Sequence, residues 1–429
     1  MRTIIPHLAL LSIIAVPLAI SCQRDMTGPQ QEEEVPSQTT LSPEVQQVTP
    51  IFLNESELAV ARLGNEFGLS VFRALEASST QENILFSPLS LSLDLAMVSG
   101  GAEGETESQI LSTIGFAGKS AEDVSGYYQK LVSGLSSIDP NTSFFSANSI
   151  WVDYVYTLRP SFTEYARQYY DADITTLDLS KKESLSEINQ WCDKHTNGMI
   201  PSVLDDSRDP DNTSASYLLN ALYFKGLWTT PFEVEPSPGT FHSAAGDVEA
   251  QYLSGSGHYR YKETETVQLV AVPYGGGLYH LVIALPKEGL SLHQVLAEMT
   301  ESAWFGGTTR DPVTVRLPKF SISYNTHEAL VHILKEMGMS VPFVKDLADF
   351  SGMFSSGRYF IENIFQQAAI DVDEKGTEAA GVTVIGILGG SLDSAYEPVP
   401  RTVNVNRPFA FAIIEDSSRT ILMLGENRY

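Results

Sequence analysis

The segment "DEKGTEAAGVTVIGILGGSLDSAYE", residues 373–397, has the composition of a β-strand and the glycine content of an exposed loop. After its charged start, no charged side chain occurs from Ala379 to Leu392, and no proline occurs before Pro398. Its β-branched residues favour strands, whereas its glycines favour exposed turns. A segment that suits a strand and yet looks exposed needs an explanation from the rest of the chain.

The composition is that of a large, acidic, globular protein. The chain has 429 residues, of which 43% are hydrophobic and 10% aromatic, enough for a sizeable core. Its formal net charge of −26 repels nucleic acid and anionic membranes, so we expect no nucleic-acid partner and membrane contact only through a lipid anchor. The acidic surface is interpreted as solubilising, since acidity alone names no partner.

The first 22 residues, "MRTIIPHLALLSIIAVPLAISC", are typical of a secretory signal. The apolar run from Leu8 to Ile20 is too short for a membrane-spanning helix. Its end, "LAISC", resembles the lipobox of bacterial lipoproteins, in which the cysteine, here Cys22, becomes the lipidated first residue. An ordinary signal peptide with an incidental cysteine is the alternative. We expect export and lipid anchoring to the outer membrane or cell surface of a bacterium, or otherwise secretion.

A stretch rich in proline and glutamate follows the signal. Residues 23–52 contain four prolines and the run Glu32–Glu34, and they are predicted to form a disordered tether. No comparable break follows, so residues 53–429 are predicted to form one domain. Cys192, the only cysteine besides Cys22, is interpreted as a small buried hydrophobe rather than a nucleophile.

Helical patterns dominate the first half of the chain and strand patterns the second. Apolar residues at four-residue spacing predict a helix over 56–78, and Ser87 followed by Pro88 predicts the start of a second helix. A third helix is predicted to end at Asn197–Gly198. This distribution favours an α+β fold. Strands are predicted over 146–152, 216–224, 267–273, 278–285, 313–322, 403–414 and 420–424.

Five local patterns, in order along the chain, resemble the serpin family of serine protease inhibitors. As a set these patterns are highly specific, and the resemblance extends over nearly all of residues 55–429. The resemblance implies three β-sheets, eight or nine helices and a reactive-centre loop, at about residues 374–400, that stands above the largest sheet. The patterns are "NILFSPLSLSLDLAMVSGGAEGET" (83–106), "INQWCDKHTNGMI" (188–200), "LLNALYFKGLWTTPFE" (218–233), "DEKGTEAAG" (373–381) and "NRPFAFAI" (406–413).

The resemblance explains why a strand-like segment is exposed. In an inhibitory serpin, a protease cleaves the loop and forms an acyl-enzyme, and the freed segment then inserts into the large sheet as a new strand. The protease is dragged along, its active site is deformed, and the ester persists. We therefore expect a metastable, irreversible suicide-substrate inhibitor of serine endopeptidases, with cysteine endopeptidases as a further possibility, and not an enzyme.

The hinge of the loop has small residues at the positions that would face the core. On insertion, alternate residues from Thr377 to Ile387 would share the inward face, which begins small and has no charge. A proline or a large charged residue there would block insertion. The hinge residues implied by the resemblance are Glu374, Gly376, Thr377, Glu378, Ala379, Ala380 and Gly381.

Other residues match positions around the strands that separate in the family. Ser87, Ser90 and Asn220 match the shutter beneath these strands, and Trp228 matches the breach, where the loop begins to insert. Gln366 stands where the family commonly has a histidine. Because an amide also donates and accepts hydrogen bonds, function is compatible with this change. Simple core packing is the alternative for each residue.

The family register, counted from Glu374, puts the scissile bond at Gly390–Ser391. No lysine or arginine occurs between Lys375 and Arg401, which disfavours trypsin-like targets because their specificity pocket is acidic. Elastase-like, subtilisin-like, chymotrypsin-like and papain-like proteases all remain open as targets. If the register differs, the alternative anchors are Leu388, Leu392 and Tyr396.

Other classes of function have less support. The sequence has no G-x-S-x-G between a strand and a helix, no H-E-x-x-H and no cysteine–histidine metal spacing, so we expect no hydrolase, metal or cofactor. The remaining alternative is a non-inhibitory serpin, acting as a binding or chaperone-like surface lipoprotein, because a fold does not fix a function. We expect a monomer.

Overall fold

The computed structural model describes residues 48–78, 83–204, 215–243, 245–306, 310–377 and 400–429. Cys22, the hinge residues 378–381 and every candidate for the reactive bond lie outside these ranges. Within them, no helix combines the length and apolar character that a membrane span requires.

Nine α-helices occur in the described residues, most of them in the first half of the chain. They are α1 (Glu55–Ser78), α2 (Pro88–Ser99), α3 (Gly104–Thr113), α4 (Ala121–Ser137), α5 (Pro160–Tyr170), α6 (Lys182–His195), α7 (Leu292–Glu298), α8 (Glu301–Trp304) and α9 (Ala329–Glu336).

The strands of the described residues form three sheets. The nine-stranded sheet contains, in spatial order, β1 (Ile84–Phe86), β17 (Thr420–Asn427), β16 (Phe409–Glu415), β10 (Tyr279–Pro286), β9 (Val267–Tyr274), β8 (Tyr252–Glu263), β11 (Arg310–Pro318) and β15 (Arg401–Asn404), with β5 (Glu233–Val234) paired to β8. The six-stranded sheet contains β12 (Phe320–Asn325), β13 (Gln367–Val372), β14 (Gly376–Thr377), β4 (Ser216–Leu227), β2 (Thr142–Asp153) and β3 (Asp173–Leu177). The third sheet pairs β6 (Gly239–Ser243) with β7 (Gly246–Ala250).

The predicted α+β class, the three sheets and the number of helices are confirmed. Ser87 is the N-cap of α2, and its side chain accepts a hydrogen bond from the Ser90 N–H at 3.2 Å. Two predicted strands were wrong in their continuity. The run 313–322 breaks at Lys319, where the chain passes from the nine-stranded to the six-stranded sheet, and the run 403–414 breaks before Pro408, which cannot donate a ladder hydrogen bond.

Helix α2 lies in the centre of the core, next to the six-stranded sheet. Eleven of its 12 residues are buried, which is typical of a helix that is covered on all sides. Asp94 is the exception, and it is only partly buried. The neighbouring strands bury one face against the same core, with Phe144 on β2 and Phe224 on β4 as large members.

The other face of the six-stranded sheet is covered by α6. Leu185 and Ile188 of this helix pack with Trp151 of β2 in a small cluster separate from the main core. Cys192, also on α6, is buried, and burial raises the pKa of its thiol to about 12. The interpretation of Cys192 as a small buried hydrophobe is therefore confirmed. The helix ends before Asn197 and Gly198, as predicted, and both have positive φ.

Residues 48–52, part of the predicted tether, contact the domain. The Thr49 N–H donates to the Ile138 carbonyl at 2.9 Å, and the N–H of buried Ile51 donates to Ser417 Oγ at 2.8 Å. Val48 lies against Gly276, between β9 and β10, where a Cβ would collide with it. These contacts extend the folded domain to residue 48.

Candidate functional site

The start of the predicted hinge is part of the six-stranded sheet. Gly376 and Thr377 form β14, which lies between β13 and β4 and pairs antiparallel with both. Thr377 is opposite Gly226 on β4 and Val372 on β13. In the described residues β13 and β4 do not pair with each other, so the centre of the sheet is open below β14.

Close packing fixes these two hinge residues. A Cβ on Gly376 would collide with the Gly226 carbonyl oxygen, so glycine is required for the approach of the two backbones. Thr377 is 1% exposed, and its Oγ1 is 2.6 Å from the hydroxyl of buried Tyr274. Burial raises the pKa of Tyr274, which therefore keeps its proton. The hinge threonine is thus held by a neutral hydrogen bond inside the core.

Two side chains hold the turn that leads into β14 from two sides, and Trp228 is the first of them. Its Nε1–H donates to the Asp373 carbonyl at 2.9 Å, and its ring stacks on Tyr274 with centroids 4.4 Å apart. On the other side, Lys319 donates to the Glu374 carboxylate at 2.7 Å, which lowers the pKa of Glu374. Trp228 therefore lies beside the first hinge residues, and its assignment to the breach stays a prediction.

A row of polar side chains crosses the core face of the sheet further down. Asn148 on β2 is opposite Asn220 on β4, and the Asn220 amide donates to Asn148 Oδ1 at 2.9 Å. On the far side of the opening, the Gln366 N–H donates to Thr326 Oγ1 at 2.8 Å. The row is thus interrupted where the strands part, between Asn220 and Gln366.

The predicted shutter residues meet around this interruption. Gln366 accepts from the Ser87 N–H at 2.6 Å and donates to the Ser87 carbonyl at 3.0 Å, so its amide caps the start of α2 from both sides. Ser87 Oγ donates to the Leu422 carbonyl at 2.7 Å. Ser90, Asn220 and Gln366 line one cavity of about 40 Å³, which has room for a few water molecules.

Four residues of the site were missed from the sequence: Asp94, Asn148, Tyr274 and Lys319. Tyr274, Asn148 and Lys319 gain their roles only from strand register and tertiary contact, which leave no local pattern. Asp94 did leave a signal, because it is the one charged residue in the otherwise apolar and hydroxyl-bearing stretch "PLSLSLDLAMVS". Together, the residues of the site surround the opening between β13 and β4.

Comparison with known proteins agrees with this geometry. A family model for serpins (serine protease inhibitors) matches residues 62–428. The chain is 31% identical over 376 residues to leukocyte elastase inhibitor A of Mus musculus, across 84% of this chain and 96% of the relative. It is 29% identical over 382 residues to a serine protease inhibitor of Cyanea capillata, across 85% of this chain and 97% of the relative.

A solved structure gives the same result. Tengpin, a thermophilic serpin, in its native state superposes with a TM-score of 0.76 at 28% identity, covering 90% of this chain and 97% of that chain. The chain therefore belongs to the serpin family. Serpins are mostly protease inhibitors and generally not enzymes. Membership of the family therefore supports proteases in general as partners of this chain.

We predict that Tyr274→Phe loosens the hinge. The change removes the partner of the buried Thr377 hydroxyl, and an unsatisfied buried group costs about 1–3 kcal/mol. Hydrogen exchange of a peptide that contains Gly376 and Thr377 should therefore be faster, by roughly tenfold for each ~1.4 kcal/mol lost. The matched control is Tyr279→Phe, which removes a buried tyrosine hydrogen bond to Leu135 away from the hinge. Unchanged exchange in Tyr274→Phe, or equal acceleration in the control, contradicts the prediction.

Proposed function

We propose that this serpin inhibits its target endopeptidase irreversibly, by inserting the cleaved reactive loop into the six-stranded sheet. The observation that carries the proposal is the position of β14, because Gly376 and Thr377 already start a strand between β13 and β4. Each further residue of the loop would find unpaired backbone groups on both sides. The first residues of the inserted strand are already paired, so insertion only has to extend an existing strand. This extension would carry the acylated protease away from the hinge.

The register of β14 indicates where the shutter would meet the loop. Six residues beyond Thr377, Thr383 would lie opposite Asn220 on one side and opposite Gln366 on the other. It would have the same inward orientation as Thr377, because side chains alternate along a strand. Its hydroxyl would supply a donor for Asn220 Oδ1, which is buried and has no hydrogen-bond partner in the described part of the chain.

The length of β4 also suits the loop. Continued in the same register, the segment from Thr377 to Ile387 would reach Ser216, the first residue of β4. Eleven residues of strand span roughly 36 Å at ~3.3 Å each. Hydrogen bonds to two neighbours, at about 0.5–1.5 kcal/mol net each, and burial of Thr383, Ile385 and Ile387 would drive the insertion.

The loop sequence favours proteases with small or apolar specificity pockets. The proposed scissile bond, Gly390–Ser391, suits an elastase-like or subtilisin-like enzyme, and no basic side chain lies between Lys375 and Arg401. The relative from Mus musculus is named as an inhibitor of leukocyte elastase, which supports the first of these classes. The further candidates are chymotrypsin-like enzymes, with Leu388, Leu392 or Tyr396 as the apolar anchor, and papain-like enzymes, with Leu388 as the anchor.

A protease panel tests the proposal directly. The folded domain is incubated with elastase-like, subtilisin-like, chymotrypsin-like, papain-like and trypsin-like enzymes, and the products are boiled in detergent. We expect a covalent adduct with at least one enzyme other than the trypsin-like one. Mass spectrometry of the released fragment then identifies the cleaved bond.

We predict that Thr377→Arg converts the inhibitor into a substrate. Position 377 is buried between two strands, and an unpaired guanidinium there would cost several kcal/mol, roughly 3–5. Insertion should become slower than deacylation, so cleavage continues while the detergent-stable adduct disappears. Gel analysis at equal enzyme and inhibitor concentrations measures both.

The matched control is Glu378→Arg, since the next residue along the strand would face outward. This variant should keep trapping protease. A Thr377→Arg protein that still traps at the wild-type stoichiometry contradicts trapping by loop insertion from this hinge.

Cleavage of the loop should raise thermal stability, because the intact sheet is open at its centre. The test compares the unfolding midpoint of the intact protein with that of protein nicked between Ile387 and Tyr396 by a non-target protease. We expect an increase of well over 10 °C, since the inserted strand would add a stabilisation comparable to that of a whole domain, about 5–15 kcal/mol. A nicked form that melts at or below the intact form instead favours the non-inhibitory binding or chaperone-like function.

The leader supports a second part of the proposal, that Cys22 carries lipid and anchors the protein to a bacterial outer membrane or cell surface. We predict that Cys22→Ser releases the protein from the membrane fraction or blocks signal cleavage in a bacterial host. The matched control is Cys192→Ser, which removes the only other cysteine and should leave fractionation unchanged. Mass spectrometry of the N-terminal peptide that finds no lipid on Cys22 contradicts this assignment.

A further inference from the structure

Asp94 has an unusual environment for a carboxyl group. It lies on α2, surrounded along the helix by buried residues, and its side chain lines the cavity between β4 and the residues that precede β13. Although the residue as a whole is partly exposed, its Oδ1 has no contact with solvent and no hydrogen-bond partner among the residues that the structure describes. An ionised carboxylate only accepts hydrogen bonds, so this oxygen requires a donor.

The side-chain amides of Asn220 and Gln366 do not supply that donor. The Asn220 amide nitrogen is used by Ser146 and Asn148, and both ends of the Gln366 amide are used by Ser87. Asn220 Oδ1 is itself an acceptor that has no partner in the described ranges. Asp94 Oδ1 and Asn220 Oδ1 are thus two buried acceptors without hydrogen-bond partners among the described residues.

No positively charged side chain occurs among the described residues that line the cavity with Asp94. The polar lining residues are Ser90 on α2, Cys192 on α6, Thr196 after α6, Asn220 on β4, and Gln366 and Gln367 at the start of β13. The remaining lining residues are apolar: Ile200 and Val203 after α6, the neighbours of Asn220 on β4, and Phe365. Cys192 is the other titratable group of this lining, and burial raises the pKa of its thiol to about 12, so it stays neutral. Burial likewise raises the pKa of Asp94 well above its usual value.

We infer that the protonation state of Asp94 controls the stability of the open sheet in the intact protein. The protonated carboxyl carries no charge and can itself donate a hydrogen bond within the cavity, which α2 and β4 both line. The ionised carboxyl leaves an uncompensated charge beneath the opening between β4 and β13, and it weakens the sheet at the place where the strands part. This inference concerns the uncut protein and holds whether or not the loop inserts after cleavage.

The direction of the pH dependence follows from linkage. Asp94 binds its proton more tightly in the folded protein than in the unfolded chain, where the pKa is about 3.9. The stabilisation is complete below that value and is lost as the pH rises toward the raised folded pKa. Within this window, the folding equilibrium constant should fall by as much as about tenfold per pH unit.

The test compares wild type, Asp94→Asn and Asp371→Asn. Asparagine keeps the shape of the side chain, supplies an amide donor and does not titrate. Asp371 lies on β13 of the same sheet but is exposed, so its change controls for the loss of one negative charge. The unfolding midpoint of each intact protein is measured between about pH 4.5 and 7.5, a range above the ordinary carboxyl pKa.

We expect the midpoint of Asp94→Asn to exceed that of wild type by several degrees at about pH 7.5, and the difference to shrink as the pH falls to about 4.5. Asp371→Asn should follow wild type throughout. A difference between Asp94→Asn and wild type that is absent, or is the same at every pH, overturns the inference. A protein that traps no protease but shows the expected pH dependence would contradict the proposed function alone.

A spectroscopic measurement keeps the inference testable if Asp94→Asn does not fold. Infrared difference spectra of the wild-type protein, recorded during a pH titration, report the carbonyl stretch of protonated carboxyl groups directly. We expect a band that persists well above the pH at which ordinary aspartates ionise, about 3.9, and that is absent in Asp94→Ser. Loss of all such bands in wild type by about pH 5, or a band that is equally strong in Asp94→Ser, overturns the inference, since burial also raises the pKa of Glu426.

Discussion

The structure depends on a sheet whose two central strands are separated along most of their length. β4 pairs with both residues of β14 and β13 pairs with Thr377, but in the described residues β4 and β13 do not pair with each other. Elsewhere in the fold, strand edges lie at the margins of sheets, where loops and solvent satisfy them. Here two edges face one another inside the domain. The position of Trp228, the Lys319–Glu374 ion pair and the amide of Gln366 can all be understood as supports around that opening.

The side chains around the opening make different kinds of contact at its two ends. At the hinge end, the contacts are aromatic and closely packed: Tyr274 stacks on Trp228 and shares a hydrogen bond with the buried Thr377. Lower down, the contacts are amides and hydroxyls that leave acceptors unsatisfied, as at Asn220 and Asp94. The hinge end is therefore closely packed, whereas buried acceptors further along the opening lack donors among the described residues.

Much of the fold could be predicted from sequence because its signals are local. The cap at Ser87, the apolar spacing of α1 and the alternation along β2 and β4 reflect hydrogen bonding and burial within a few residues. The missed features are those that arise between distant segments. Lys319 and Glu374 are 55 positions apart, and neither position alone indicates a partner. The split of residues 313–322 was missed for the same reason, since a change of sheet at Lys319 alters the neighbours of a strand and not its composition.

The docking of residues 48–51 has a consequence for where a captured enzyme would be found. Val48 lies against the turn at Gly276, and the adjacent Gly275 N–H donates to the carbonyl of Leu227, which is opposite Gly376. The polypeptide thus joins the domain at the hinge end of β4. A strand inserted along β4 ends at Ser216, roughly 36 Å away. An enzyme carried along β4 by the proposed insertion would therefore end near Ser216, at the end of that strand opposite residue 48.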